Sequence, residues 1–131
     1  MDAFDADVLV YAAAPDHPLG RRVRAVLAEQ APAGIGSVLL VPELLTKPVR
    51  EGSDDEQVAL AAILSRLELR PVDRFTAQVA VVLGARYRLR AADAVHLATA
   101  VVASAARFLT NNRRDFTKEI SEVEVVHPDE L

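Results

Sequence analysis

Cysteine is missing from this chain of 131 residues. Its absence excludes a disulfide scaffold, a thiolate zinc site and a cysteine nucleophile. Histidine is scarce too. His17, His96 and His127 are scattered along the chain, which argues against zinc held by imidazoles alone. No apolar run approaches the roughly eighteen residues of a membrane-spanning helix. The run Val8 to Ala14 follows acids, whereas a signal peptide wants a basic front and a longer run. The final His127-Pro128-Asp129-Glu130-Leu131 resembles an ER-retention tail, but Pro128 breaks the pattern. The expectation is a cytoplasmic protein with no membrane partner. A basic excess is lacking as well: fifteen Lys and Arg face nineteen Asp and Glu, for a formal net charge of -4. That speaks against reading nucleic acid through a broad positive field, and less against an enzyme that meets nucleic acid at a metal site. No GxxxxGK[ST] stretch exists, so a phosphate-loop nucleotide enzyme is excluded.

What remains has the profile of an ordinary globular domain, 51% apolar and 26% charged. The length suits one domain, and no repeat, low-complexity tract or linker divides it, so residues 1–131 are read as a single domain. Thirteen of the fifteen cations are arginine, whose planar fork suits phosphate or carboxylate partners.

Short apolar runs alternate with helical patterns, the signature of an α/β fold with a central, mostly parallel sheet flanked by helices. The pattern predicts a strand over Ala3 to Asp7 and a short helix over Val8 to Ala14. It then predicts a helix capped by Asp16 that carries Leu19, Val23, Val26 and Leu27 on one face. Ile35 to Ser37 reads as a strand, and about Val38 to Arg50 as a helix in which Pro42 marks a start or a kink. Ser53 and Glu56 read as a capping box opening a helix with Leu60, Ile63, Leu64 and Leu67 on one face. A strand over Leu69 to Val72 follows. Phe75, Val79, Val82 and Leu83 then mark the inner face of a helix ending near Gly84 or slightly later. Ala91 to Ala105 is apolar nearly all round and reads as a buried helix. Phe108 to Thr110 and Val123 to Val126 are the last strands.

Ligands of open parallel sheets bind beyond the carboxyl ends of the strands. Asp5 and Asp7 lie at such an end, and Thr110, Asn111, Asn112 and Asp115 follow a late strand. Asp5 stands among Phe4, Val8, Leu9 and Val10, where a carboxylate is expensive unless it is paired or binds a cation. It is also a good helix cap, and Asp7 has the stronger capping claim. Asp93 is embedded in an apolar first helical turn, where the helix dipole favours an acid. Glu43 in its helix and His96 beside Asp93 read more simply as a solvated face and a core or rim histidine. Carboxylates gathered at one pocket repel each other unless a cation neutralises them. Oxygen donors without cysteine and with dispersed histidines suit Mg²⁺ or Mn²⁺ far better than zinc. Whether these acids converge is left to the fold.

These residues resemble a PIN domain, specifically the VapC-type toxin of a bacterial toxin–antitoxin pair, over nearly the whole chain. Asp5-Ala6-Asp7-Val8-Leu9 is similar to the family's Asp-(Thr/Ser)-(Asn/Ser)-Val-Leu opening. Glu43, in Val41-Pro42-Glu43-Leu44-Leu45, matches its helical Glu. Ala91-Ala92-Asp93-Ala94-Val95-His96-Leu97-Ala98-Thr99-Ala100 matches Ala-x-Asp-Ala-x-His-Leu-Ala-x-Ala, the most specific stretch. Thr110, Asn112, Asp115 and Phe116 match Thr-x-Asn-x-x-Asp-Phe. The resemblance implies a PIN-like fold and a Mg²⁺- or Mn²⁺-dependent endoribonuclease. In it Asp5, Glu43, Asp93 and Asp115 hold the metal, and Thr110 and Asn112 support the site. It also implies an RNA substrate, a VapB-like antitoxin that blocks the pocket, and a homodimer. Two positions depart from the pattern: Ala6 replaces a hydroxyl residue, and Asp7 adds a fifth carboxylate or a plain cap. Some relatives also carry an acid where this chain has Asn112. Arg113 and Arg114, or Arg86, Arg88 and Arg90, are candidates to meet RNA phosphates, which would make affinity fall with salt.

Two other readings stand beside this one. A PIN fold acting as a binding protein without catalysis is the first. The second is a haloacid-dehalogenase-like phosphatase, with Asp5 as nucleophile and Asp7 as acid/base. Spacing weighs against the phosphatase, because Lys118 is the only lysine after Leu109-Thr110-Asn111-Asn112.

Overall fold

The computed structural model describes all 131 residues. Five short strands form one sheet: β1 (Ala3–Phe4), β2 (Gly34–Ser37), β3 (Leu67–Arg70), β4 (Arg107–Leu109) and β5 (Glu124–Val126). Six helices connect them: α1 (Ala6–Ala13), α2 (Pro18–Leu27), α3 (Leu40–Glu51), α4 (Asp54–Ser65), α5 (Arg74–Tyr87) and α6 (Ala91–Val102). The strand order is β3-β2-β1-β4-β5, and every pairing is parallel. No helix is long and apolar enough to cross a membrane.

Period-two alternation divides the core. Phe4 and Leu109 face the layer of α1 to α4, packing with Val8, Leu9, Leu40 and Leu60. Ala3, Ile35, Phe108 and Val125 face α5 and α6, packing with Leu83, Leu97 and Phe116. Both faces of the sheet are therefore covered, as parallel sheets require. The chain leaves β1 towards β2 and β3, then crosses back to place β4 on the other side of β1. The crevice between the carboxyl ends of β1 and β4 is thus a topological switch point, where α/β folds bind ligands.

Several predicted boundaries move, each for a local reason. β1 stops at Phe4 because Asp5 already caps α1, its carboxylate accepting from the Ala6 N–H at 2.8 Å. Asp5, not Asp7, is therefore the cap. His17, not Asp16, caps α2: its Nδ1 accepts from the N–H groups of Leu19 and Gly20 ahead of a permissive Pro18. Pro42 sits in the first turn of α3, where no N–H is needed for the helix ladder. Ser53 precedes α4 but makes no side-chain cap bond, so the expected capping box does not form. Leu67 leaves the α4 face to begin β3, which pairs along β2 from Gly34↔Leu67 to Ser37↔Arg70. In α5 the buried residues are Thr76, Ala80 and Leu83, while Phe75 and Val82 are exposed. Leu83 is buried and Val79 packs against the core as expected, while Thr76 and Ala80 take the places of Phe75 and Val82 on that face.

Candidate functional site

Alternation along the strands also aims the polar residues. Asp5 lies two residues past Ala3, and Thr110 two past Phe108, so both continue onto the α6 side at the switch point. The two are tied together. The Asp5 N–H donates to the Leu109 carbonyl at 2.9 Å, and the Thr110 hydroxyl donates to Asp5 Oδ2 at 2.7 Å. Asp5 is 6% exposed and Thr110 is fully buried. Burial pushes the Asp5 carboxyl above its ordinary pKa, against the opposing hydrogen bond from Thr110.

Asp7 stands one turn edge further on, and both its oxygens face the Asn111 N–H, at 3.0 and 3.3 Å. Burial, with the nearby charge of Asp5, raises its pKa to about 6. Asp93, in the first turn of α6, is raised in the same direction by burial and then by the charges of Asp5 and Asp115. Asp115 is held by Asn112: the Asn112 side-chain amide donates to Asp115 Oδ2 at 3.0 Å, and the Asp115 N–H donates back to Asn112 Oδ1 at 3.2 Å. Asn112 is itself fixed by its N–H donating to the Thr110 hydroxyl at 3.1 Å. One chain of contacts thus runs from Asp5 through Thr110 and Asn112 to Asp115.

Glu43 reaches the site differently. It projects from α3, and its carboxylate meets Nε2 of buried His96 at 3.0 Å. His96 lies one helical turn after Asp93, so the same part of α6 presents a carboxylate and orients another. Burial opposes a charge on His96. The hydrogen bond and charge of Glu43, with Asp5 and Asp93 behind it, outweigh that and raise its pKa. Its Nδ1 is buried without a partner, so Glu43 at Nε2 is the ring's one hydrogen-bonding contact. The His96–Glu43 pair joins residues 53 apart in sequence and was not expected from it. The contacts of Asn111, with Asp7 through its backbone and the Tyr11 hydroxyl through its side chain at 3.0 Å, were equally invisible in local pattern.

The fold therefore brings Asp5, Asp7, Asp93 and Asp115 within reach of each other's charge, with Glu43 acting on Asp5 and Asp93. It does not draw any three Asp, Glu or His side chains into a group that could hold a metal ion as they stand. Glu43 is turned to His96, and Asp115 to Asn112. Like charges spread apart unless protons or a cation neutralise them. The donor chemistry fits a hard divalent cation: the donors are all oxygen, and three of the carboxylates carry raised proton affinities that such a charge would relieve.

Beside these acids opens a cavity of about 440 Å³ lined by Arg88, Arg90, Asp93, Asn112, Arg114 and Asp115, with no apolar residue. Of the five arginines proposed for RNA, Arg113 is paired with Asp129 and Arg86 with Glu122. Neither lines the cavity, whereas Arg88, Arg90 and Arg114 do.

A parallel α/β sheet with carboxylates near its switch point is an architecture shared by several families that act on phosphate esters. The PIN domain family model matches residues 3–121, and the chain belongs to that family. That match leaves the phosphatase reading without support. The fold is also that of solved toxin–antitoxin structures. One is a toxin–antitoxin complex from Klebsiella pneumoniae, 24% identical over 98% of each chain with a TM-score of 0.78. Another is VapBC2 from Rickettsia felis bound to a DNA fragment from their promoter. It is 18% identical, with 96% of this chain and 97% of that one covered and a TM-score of 0.74. Among curated proteins, none matches the chain.

Proposed function

We propose that residues 1–131 act as a single PIN domain that hydrolyses RNA phosphodiester bonds with Mg²⁺ or Mn²⁺, as the toxin of a toxin–antitoxin pair. The observation that carries this reading is the linked chain Asp5–Thr110–Asn112–Asp115 facing Asp93 across the switch point. Asp5, Asp93, Glu43 and Asp115 would hold the ion. Bound there, a divalent cation supplies an activated water and offsets charge on the phosphoryl oxygens. The chain's own residues do the positioning. Thr110 fixes the Asp5 carboxylate, Asn112 fixes Asp115, and His96 fixes Glu43 on a different element. Asp7 holds the Asn111 turn that follows β4. A VapB-like antitoxin is the proposed partner, supported by the likeness to toxin–antitoxin structures, with a homodimer and a cytoplasmic site of action.

The test is metal-dependent cleavage of bacterial RNA by protein freed of any copurifying partner, with Mg²⁺, Mn²⁺ and EDTA in parallel. Discrete fragments that need the ion are expected. Asp93→Asn should reduce cleavage by more than the roughly 10–100-fold typical of losing an outer hydrogen-bond partner. Mn²⁺ binding without cleavage of any RNA would favour the non-catalytic binding protein. Absence of Mn²⁺ binding would overturn the site.

A further inference from the structure

Seven of the thirteen arginines already have a partner, and Arg21, Arg50 and Arg74 are free but do not line the acidic cavity. Arg107 is paired with Asp2, Arg86 with Glu122, Arg113 with Asp129 and Arg70 with Glu68. Arg22 and Arg24 donate to backbone carbonyls of the C-terminal turn and of α1, and Arg66 donates to the Leu27 carbonyl. Arg88, Arg90 and Arg114 form no ion pair, although Asp93 and Asp115 line the same cavity. They come from three separate structural positions: the C-cap of α5, the N-cap of α6 and the turn after β4.

The backbone gives a second observation. Arg88 has φ 56°, in the left-handed region that ends helices and favours glycine. Its N–H closes α5 on the Gly84 carbonyl. An arginine at that position places a guanidinium on the cavity wall where glycine would serve the turn better. The cavity is also polar throughout, unlike the largely apolar grooves along α1 and α5.

We propose that Arg88, Arg90 and Arg114 each neutralise a backbone phosphate of the RNA strand, next to the phosphodiester held at Asp93. The inference rests on the nuclease reading and adds to it the residues that seat the strand. Guanidinium forks match phosphate oxygens in pairs, and three of them around one cavity hold the backbone without reading bases. The same wall carries Asp93 and Asp115, so the strand runs from cationic clamp to carboxylates within one cavity. A carboxylate-bearing peptide would meet the same cations, but an RNA strand repeats its charge at every nucleotide, so neighbouring phosphates occupy all three forks.

The test uses the full chain, a fluorescein-labelled single-stranded oligoribonucleotide of mixed sequence, and EDTA to prevent cleavage. Anisotropy is read from 50 to 200 mM salt. Arg88→Gly, Arg90→Ala and Arg114→Ala should each weaken binding and flatten the log–log salt slope by about 0.7, and the triple variant by about 2. Arg86→Ala and Arg113→Ala, whose guanidinium groups are paired elsewhere, should leave the slope unchanged. Arg88→Gly suits the left-handed backbone, and circular dichroism confirms that each variant is folded. Wild-type slope in the triple variant, or no RNA binding by the wild type, overturns the clamp. So does loss of binding to an acidic peptide with RNA binding intact, which would assign the cavity to a protein partner. The nuclease reading fails separately, if wild type and Asp93→Asn cut RNA equally.

Discussion

Asp7 shows how one residue carries both cost and use. Its carboxylate accepts the Asn111 N–H, yet burial and the neighbouring Asp5 charge raise its pKa to about 6. An acid whose folded pKa lies above its unfolded value binds more protons in the native state. Between the ordinary aspartate range and pH 6 stability therefore falls as pH rises. Well above pH 6 the charged form is fully present, and its penalty is at most about 3 kcal/mol. Asp7→Asn keeps an acceptor for Asn111 and removes the charge. In metal-free buffer at pH 7.5 the variant should gain about 1–2 kcal/mol, read as a melting temperature roughly 3–6 °C higher. Near pH 4 the gain should shrink. A loss of stability at pH 7.5 would show that the charged hydrogen bond to Asn111 outweighs burial.

At the scale of elements, α1 is held in place by its neighbours as much as by its own sequence. Asp5 caps its start, and Arg24 from α2 donates to the Ala12 and Ala14 carbonyls at its end. The two helices approach so closely at Gly20 that an added Cβ would lie 2.0 Å from the Tyr11 carbonyl oxygen. That neighbour is backbone, so α1 or α2 must shift. Gly20→Ala should cost about 1–3 kcal/mol, measured by urea unfolding, and should disturb the Asp5 end of the site through α1. An unchanged midpoint would mean that the pair slides apart freely. The same packing explains what sequence pattern could and could not show. Element order was legible because buried strands and helices carry different periods. The inner face of α5 was legible in part: Leu83 and Val79 turn inward, but Thr76 and Ala80 are buried there while Phe75 and Val82 stay outside. The cap of α2 was misplaced because His17 competes with Asp16 through a ring nitrogen that pattern rules do not weigh.

The whole molecule acts through its topology. Asp5 and Thr110 are 105 residues apart and meet only because β4 pairs with β1 after the crossover. Asp5 and Asp93 stood out as carboxylates in apolar segments, and the family resemblance added Glu43 and Asp115. It could not supply the His96 bridge to Glu43 or the split between free and paired arginines, which depend on residues far apart in the chain. The sheet thus concentrates negative charge on one edge of the crevice, and this couples stability to pH. Burial and mutual repulsion raise the proton affinities of Asp5, Asp7 and Asp93, so the metal-free protein loses stability as pH rises through that range. A divalent ion held there, as proposed, would compete with those protons for the same oxygens and relieve the same repulsion. Mn²⁺ at 100 times its dissociation constant should stabilise by about 2.7 kcal/mol. The rise in melting temperature should be larger at pH 7.5 than at pH 5, where protons already occupy part of the site. Asp5→Asn should remove most of that rise, while a variant at exposed Val58 should keep it. Equal shifts at both pH values, or a full shift in Asp5→Asn, would place the ion away from the switch point and leave the carboxylates as a structural cluster.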